Sequence, residues 1–309
     1  MSAVTVRVPA KVNLQLGVGP LREDGYHDLV NVFHAVSLFD EVTARPAERL
    51  EIRVEAAPYS RVEIGGVPTD DDNLAAKAAR AVAARLGAEP RVALRIRKAI
   101  PVAGGMAGGS ADAAAALVAC ARLWDDRERP ALSRDDLMEI GAELGSDVPF
   151  AVLGGTAVGT GRGEHLTPAL TRGVFHWVFA TADGGLSTPA VYGECDRLRL
   201  EEGRPPARPE VSEALMTALA TGDAKALGAA LTNDLQPAAL SLRPSLRRTV
   251  DAGRDLGAIG ALVSGSGPTC AFLAETDEDA ADLAGALDGA GVAAQVVRAS
   301  GPVPGATVI

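Results

Sequence analysis

The sequence predicts an α+β protein built as two domains. Three observations carry this: strand-like alternation is concentrated towards the amino terminus, helical periodicity falls in separate blocks, and 309 residues exceed what one core usually organises.

Val4, Val6, Val8, Val12, Leu14, Leu16 and Val18 share one parity, the period of a half-buried strand interrupted at Pro9. Lys11, Asn13 and Gln15 therefore share the opposite face. Asp24-Gly25 is a turn signal, and VNVFHAVSLFDEVTA continues as a second extended run, so the chain opens as antiparallel strands. ERLEIRVEA and RVEIGG predict shorter strands. DDNLAAKAARAVAARLG predicts a helix with acidic residues at its start and Gly87 at its end. RVALRIRKAIPV alternates again and delivers the chain into PVAGGMAGGSAD, residues 101–112.

Gly104, Gly105, Gly108 and Gly109 in that stretch carry no Cβ to keep a ligand away, and glycine adopts the positive φ angles that turn successive N–H groups inward. Ser110 stands where an N-cap would, Asp112 follows in the first turn, and the next segment places Leu117, Ala121 and Trp124 on one helical stripe. Open N–H groups at a helix start suit phosphate. A Walker A loop is excluded because Gly109, not lysine, precedes Ser110, and Met106 and Ala107 break the dinucleotide fingerprint. By its residues alone the stretch is a phosphate cradle or a surface loop capped by Ser110.

LSRDDLMEIGAELG predicts a helix opened by a capping box of Ser133 and Asp136 and stopped at Gly145. The pair Gly154-Gly155 marks the expected boundary, giving domains of residues 1–155 and 156–309. Beyond it come the strand FHWVFATA, helices in PEVSEALMTALATG and AKALGAALTNDL, a glycine turn in GALVSGSGPTCAFLAE, and a closing helix and strand in EDAADLAGALDGAGVAAQVVRA.

Hydrophobic content of 47% with only 4% aromatic residues predicts a core of Ala, Val and Leu. A net charge of −10 argues against a nucleic-acid groove, which needs a basic face, and leaves room for local basic pockets. Cys120, Cys195 and Cys270 are too widely spaced for a disulfide framework or a zinc site and fit a reducing compartment. Neither a signal peptide nor a membrane-length apolar window is present, so the expected location is the cytoplasm.

PAKVNL at residues 9–14, the glycine loop, LGSDVPF at 144–150 and VSGSGPTCAF near the carboxyl end together resemble the GHMP kinase superfamily of small-molecule kinases. PAKVNLQLGVGPLREDGYHDL, TGRGE and NDLQPA resemble, within it, the branch that phosphorylates 4-diphosphocytidyl-2-C-methyl-D-erythritol. The resemblance covers almost the whole chain. It implies a ribosomal protein S5 domain 2-like amino-terminal domain with a ferredoxin-like carboxyl-terminal one, and transfer of the γ-phosphoryl of ATP to a tertiary hydroxyl.

By resemblance Asp147 is the base and Lys11 its cationic partner. Read without it, Asp147 is equally an N-cap for a short helix, and Lys11 a charge on a solvated strand face. The resemblance places ATP on Pro101, Val102, Ala103, Gly104, Gly105, Met106, Ala107, Gly108, Gly109, Ser110 and Ala111, with Asn73 and Lys98 near the adenine. Ser110 also becomes a ligand for Mg²⁺, a hard cation that needs few protein ligands. The cytidyl substrate falls to Asn13, Tyr26, His27 and Tyr192, and to the second glycine turn at Gly265, Ser266 and Gly267.

The loop departs from the usual pattern, glycine–leucine–glycine–glycine–glycine–serine–serine. Met106 replaces leucine, Ala107 a glycine and Ala111 the second serine, so Ala107 is expected in a conformation open to any L-residue. The expected partners are small molecules, without nucleic acid or membrane, acting on a monomer or weak homodimer. Two alternatives remain: a superfamily kinase for homoserine, mevalonate or a sugar, and a catalytically silent ligand sensor of the same fold. DGYH argues against the first, and retention of Lys11 with Asp147 against the second.

Overall fold

The structure is a computed structural model describing residues 3–102, 104–125, 132–203 and 206–309. In the amino-terminal half, β1 (Val4–Leu21), β2 (His27–Pro46) and β3 (Glu51–Ala56) precede α1 (Leu74–Arg85), and β4 (Val92–Lys98) leads to α2 (Gly108–Leu123). Next come α3 (Arg134–Leu144), α4 (Val148–Leu153), β5 (Thr156–Gly161), β6 (His165–Pro168) and β7 (Phe175–Thr181). The order then runs α5 (Thr188–Glu201), α6 (Glu213–Thr221), α7 (Ala224–Ala230), β8 (Thr232–Asn233), α8 (Gln236–Leu242) and α9 (Ser245–Asp255). β9 (Gly260–Val263), β10 (Cys270–Ala274), α10 (Asp277–Gly289), β11 (Gln295–Gly301) and β12 (Thr307–Val308) complete the chain.

β1 and β2 form a long antiparallel hairpin around the Gly25 turn, whose φ is 82°. Pro9 does not break β1. The register shifts between Pro9 and Ala10, so a bulge absorbs the missing N–H and the strand continues. The valine row packs beneath the helices, while the row of Lys11, Asn13 and Gln15 is buried as well rather than solvated. Residues 61–66 are not the expected strand. The Val62 N–H binds Ser60 Oγ and the Val67 N–H binds the Ile64 carbonyl, so local turns take the backbone bonds a strand would need.

Helix starts follow capping chemistry. Asn73 Oδ1 accepts from the Ala75 N–H, leaving the acidic run of residues 70–72 ahead of α1, and Ser133 with Asp136 closes the predicted capping box of α3. α2 differs from expectation. Its N-cap position is Ala107, not Ser110, with no side-chain cap, and Ala107 itself is left-handed at φ 60° and ψ 32°. An alanine there carries the Cβ penalty that the usual glycine avoids, so the expectation of an ordinary L-residue conformation is also corrected. The alanines of α2 let it settle among α1, α3, β1 and β2 with most of its residues buried.

The sheets do not divide at Gly155. Gly154 and Gly155, at φ 70° and 67°, reverse the chain so that Thr156 pairs with His34, and β5 with β6 extends the first sheet. The sheet division falls after Pro168. Among the described residues the first sheet has eight strands along the path β12-β1-β2-β4-β3, with β5, β6 and β8 attached, and the second is β11-β7-β10-β9. β8 runs parallel to β1 at Gln15 and Leu16, and β12 pairs with β1 at Val6 and Arg7. The carboxyl half is thus stitched into the first sheet. This is an α+β architecture, and no described helix is long and apolar enough to cross a membrane.

The return of the carboxyl end depends on Gly154, where a Cβ would overlap the backbone of Pro304 and Gly305. Gly154→Ala is expected to destabilise the protein by about 2 kcal/mol or more, combining that overlap with a left-handed conformation. Denaturant unfolding checks this, and an unchanged midpoint would show that the terminal segment yields freely.

Candidate active site

A cleft of about 870 Å³ opens where the two glycine turns face the β1–β2 hairpin. Its floor is Lys11, only 6% exposed. The ammonium donates to Asn13 Oδ1 at 2.6 Å, and Asn13 Nδ2 donates onward to Asn31 Oδ1 at 2.6 Å. Asp147 Oδ2 lies 3.7 Å from Lys11 Nζ. Burial pushes the Lys11 ammonium below its ordinary value, and the Asp147 carboxylate opposes that shift.

Asp147 occupies the position before α4 but does not cap it. At φ −88° and ψ −10° its side chain makes no capping bond, so the carboxylate is left facing Lys11. This resolves the cap alternative through geometry: a capping side chain needs an extended backbone, and Asp147 is already helical. The preceding turn is closed by the Val148 N–H on the Gly145 carbonyl.

Above this pair the two glycine turns touch. Ser264 Oγ donates to the Gly105 carbonyl at 3.2 Å, and Gly105, at φ 75°, has no room for a Cβ against the Ser264 carbonyl. Gly265, at φ 56°, sits over Lys11: a Cβ there would lie 3.4 Å from Nζ. Asn233, in NDLQPA, fixes this turn by donating to the carbonyls of Val263 and Gly265, both at 2.8 Å, while Gln236 accepts from the Val263 N–H. The turn is therefore both the β9–β10 connection and a wall of the cleft. Ser266 bonds Thr188 of α5, and Gly267 also borders the cavity.

The glycine-loop residues Gly104, Gly105, Ala107, Gly108, Gly109 and Ser110 line the same cleft. Pro101, Met106 and Ala111 are buried beneath it, so their contribution is to shape the loop rather than to offer side chains. Ala103 lies outside the described residues. Val102, Asn73 and Lys98 border a separate cavity of about 250 Å³ behind the loop. Their polar atoms are committed: Asn73 caps α1 and donates to the Pro68 carbonyl at 2.6 Å, and Lys98 pairs with Asp40 and Asp112.

At the far end, the His27 ring stacks on Tyr192 with centroids 5.1 Å apart and planes inclined by 27°. Asp196, one helical turn beyond Tyr192 on α5, holds His27 Nε2 at 3.0 Å. Tyr26 is 52% exposed and turns its ring towards the Arg162 guanidinium, 5.2 Å from the centroid. Glu164 accepts from Arg162 in turn. Burial pushes the Tyr192 phenol up, so it stays neutral.

Asn31, Arg162 and Asp196 complete this arrangement, with Asp40 and Asp112 paired to Lys98 behind the loop and outside the cleft, and none of the five is in the sequence-based set. Arg162 falls in the TGRGE motif and Asp112 in the first turn after the loop, and Asp40 carries a signal of its own: it shares the inward parity of Leu38, Val42 and Ala44, where an acid demands a buried partner. Chemically, the cleft offers a carboxylate beside a fixed ammonium, open backbone N–H groups at a helix start, and flat rings at the opposite end. Such a set can accept a hydroxyl proton, bind phosphate and stack on an aromatic heterocycle.

Comparison with known proteins agrees with this geometry. The GHMP kinases N terminal domain family matches residues 73–155, and the GHMP kinases C terminal family matches residues 215–293. A 4-diphosphocytidyl-2-C-methyl-D-erythritol kinase of Thermobifida fusca is 58% identical, over 100% of this chain and 99% of that protein. The crystal structure of a 4-(cytidine 5'-diphospho)-2C-methyl-D-erythritol kinase superposes with a TM-score of 0.74 at 33% identity, over 96% of this chain and 98% of that one. A homoserine kinase from Cytophaga hutchinsonii shares the fold, with a TM-score of 0.71 at 18% identity, over 100% of this chain and 98% of that one. The chain belongs to the GHMP kinases, within their 4-diphosphocytidyl-2-C-methyl-D-erythritol kinase family.

Proposed function

We propose that the protein transfers the γ-phosphoryl of ATP to the 2-hydroxyl of 4-diphosphocytidyl-2-C-methyl-D-erythritol, a step of the non-mevalonate route to isoprenoid precursors. The observation that carries this reading is the Asp147–Lys11 pair at 3.7 Å, set between the glycine loop on one side and the His27–Tyr192 stack on the other. One cleft then holds donor and acceptor together with a base between them.

A tertiary hydroxyl is a hindered nucleophile, so alignment and charge control supply most of the rate. Asp147 accepts the hydroxyl proton as the oxygen attacks. Lys11 remains charged beside it and offsets charge on the phosphoryl oxygens. The loop from residue 101 to 111 wraps the phosphates, and its N–H groups at the start of α2 face them. The smaller cavity beside Asn73, Val102 and Lys98 receives the adenine. Tyr26 and Tyr192 flank the cytosine, the His27 backbone reads its edge, and Asn13 with the turn Gly265-Ser266-Gly267 contacts the rest of the acceptor.

Mg²⁺ fits this donor set. The described residues contain no cluster of three or more His, Cys, Asp or Glu that would hold a cation alone, whereas Ser110 borders the cleft beside the phosphate loop. A cation arriving on the nucleotide would use the Ser110 hydroxyl and would neutralise phosphate charge. The three free cysteines, all buried, support a reducing, cytoplasmic setting.

An ADP-release assay with ATP and Mg²⁺ is expected to show turnover on the cytidyl substrate and none on homoserine, mevalonate or galactose. Turnover confined to one of the latter overturns the reading. Asp147→Asn should lower kcat by about a hundredfold or more while leaving ATP affinity and folding nearly intact, since Asp147 caps nothing. Retention of kcat in that variant would assign the proton to another group.

The pH profile gives a third check. Burial holds the Lys11 pKa below 10.5, so the unfolded chain binds more protons between the two values, and this group's contribution to stability rises with pH there. A fall in kcat/KM across that window therefore reports deprotonation of Lys11, not unfolding caused by it. Lys11→Arg, slower overall, should lose this alkaline limb because guanidinium stays charged. An identical limb in both proteins would assign it elsewhere.

A further inference from the structure

We infer that Lys98, Asp40 and Asp112 form a positioning clamp that closes the base of the glycine loop and holds Ala107 in its left-handed conformation. The inference rests on the proposed reading of that loop as the ATP phosphate cradle. All three side chains are buried, Lys98 being 1% exposed. Asp40 Oδ1 accepts the N–H groups of Ala99 and Ile100, at 2.6 and 2.8 Å, where the chain enters the loop. Asp40 Oδ2 pairs with the Lys98 ammonium. That ammonium also reaches the loop's exit, donating to the Gly108 carbonyl at 3.2 Å and to Asp112 Oδ2 at 2.7 Å. Both ends of the loop therefore converge on one buried charge.

The exit grip falls immediately after Ala107, the only described non-glycine residue with positive φ. Such a conformation persists where its surroundings over-determine it, and here the following carbonyl is anchored by an ion cluster. The clamp is not chiefly a stability device. Two carboxylates share one ammonium, burial pushes the Asp112 carboxyl well above the usual range, and Asp112 Oδ1 is buried without a hydrogen-bond partner. Removing Asp112 from the alanine-rich α2 leaves a one-to-one pair between Lys98 of β4 and Asp40 of β2. The loop loses a tether while the core loses an unsatisfied group.

The test compares Asp112→Ala, Ala107→Gly, their double variant and Gly109→Asp, using MgATP titration calorimetry, steady-state kinetics and thermal unfolding of the whole chain. Gly109 has room for a side chain and lines the cleft, so Gly109→Asp places charge in the cradle without disturbing the fold. Asp112→Ala is expected to weaken ATP binding about tenfold, with kcat and the KM for the cytidyl substrate changed less than about twofold and no loss of melting temperature. Ala107→Gly in the Asp112→Ala background should recover much of the ATP affinity, because glycine adopts the left-handed conformation unaided. Unchanged ATP affinity in Asp112→Ala, beside its loss in Gly109→Asp, overturns the clamp and leaves the loop reading standing. Normal ATP binding by Gly109→Asp overturns both. A general loss of folding in Asp112→Ala, or purely additive effects of Asp112→Ala and Ala107→Gly, would reduce the cluster to a structural role and overturn the inference.

Discussion

The structure is organised around an ammonium buried on a central strand. Removing an ion of that size from water costs several kcal/mol even after relaxation, so Lys11 can remain charged only where acceptors are already in place. Asn13 supplies the nearest one, Asn31 holds Asn13, and Asp147 supplies the opposing charge. Each comes from a different part of the chain: β1, β2 and the turn before α4. The bulge at Pro9 sets the register of β1 against β2 just ahead of Lys11, so a local irregularity of the strand fixes where this charge emerges.

The same charge explains why glycine is concentrated where it is. Gly265 approaches Lys11 and Asn13 with its Cα face, and Gly105 meets the Ser264 carbonyl, so the two turns close over the ammonium with no intervening side chain. Their contact also joins the sheets, since one turn leads into α2 and the other links β9 to β10. Sheet membership therefore does not follow a single cut in the sequence. β5, β6, β8 and β12 all belong to the first sheet, and the cleft lies between elements that are interleaved rather than appended.

Much of this was legible in the sequence because it rests on local rules. The β1–β2 antiparallel pairing, the Ser133 capping box and the Gly25 turn each follow from nearest neighbours, and each forms as expected. What escaped depends on tertiary partners. RVEIGG has the composition of a strand, yet Ser60 and a turn satisfy its backbone locally. Ser110 has the chemistry of a cap, but the helix begins earlier because Lys98 anchors the Gly108 carbonyl from below. Asp196 reads as an ordinary helix-surface acid until α5 is laid against His27. Lys11 and Asp147 were legible as types and by resemblance, whereas their separation of 3.7 Å is a property of the fold alone.

Fold and acceptor specificity occupy different parts of this molecule. A homoserine kinase at 18% identity shares the fold, so the fold cannot by itself select an acceptor. Selection in the proposed reading falls to the end of the cleft beyond Lys11, where Tyr26, His27 and Tyr192 gather. Those rings are held from outside the chemistry: Asp196 fixes the imidazole, and Arg162, itself tied to Glu164, sits over Tyr26. A flat heterocycle inserted there would meet faces already oriented, so little ordering cost would be subtracted from its stacking. The binding free energy so retained is available to hold a crowded tertiary hydroxyl against Asp147, which is where a hindered nucleophile needs it.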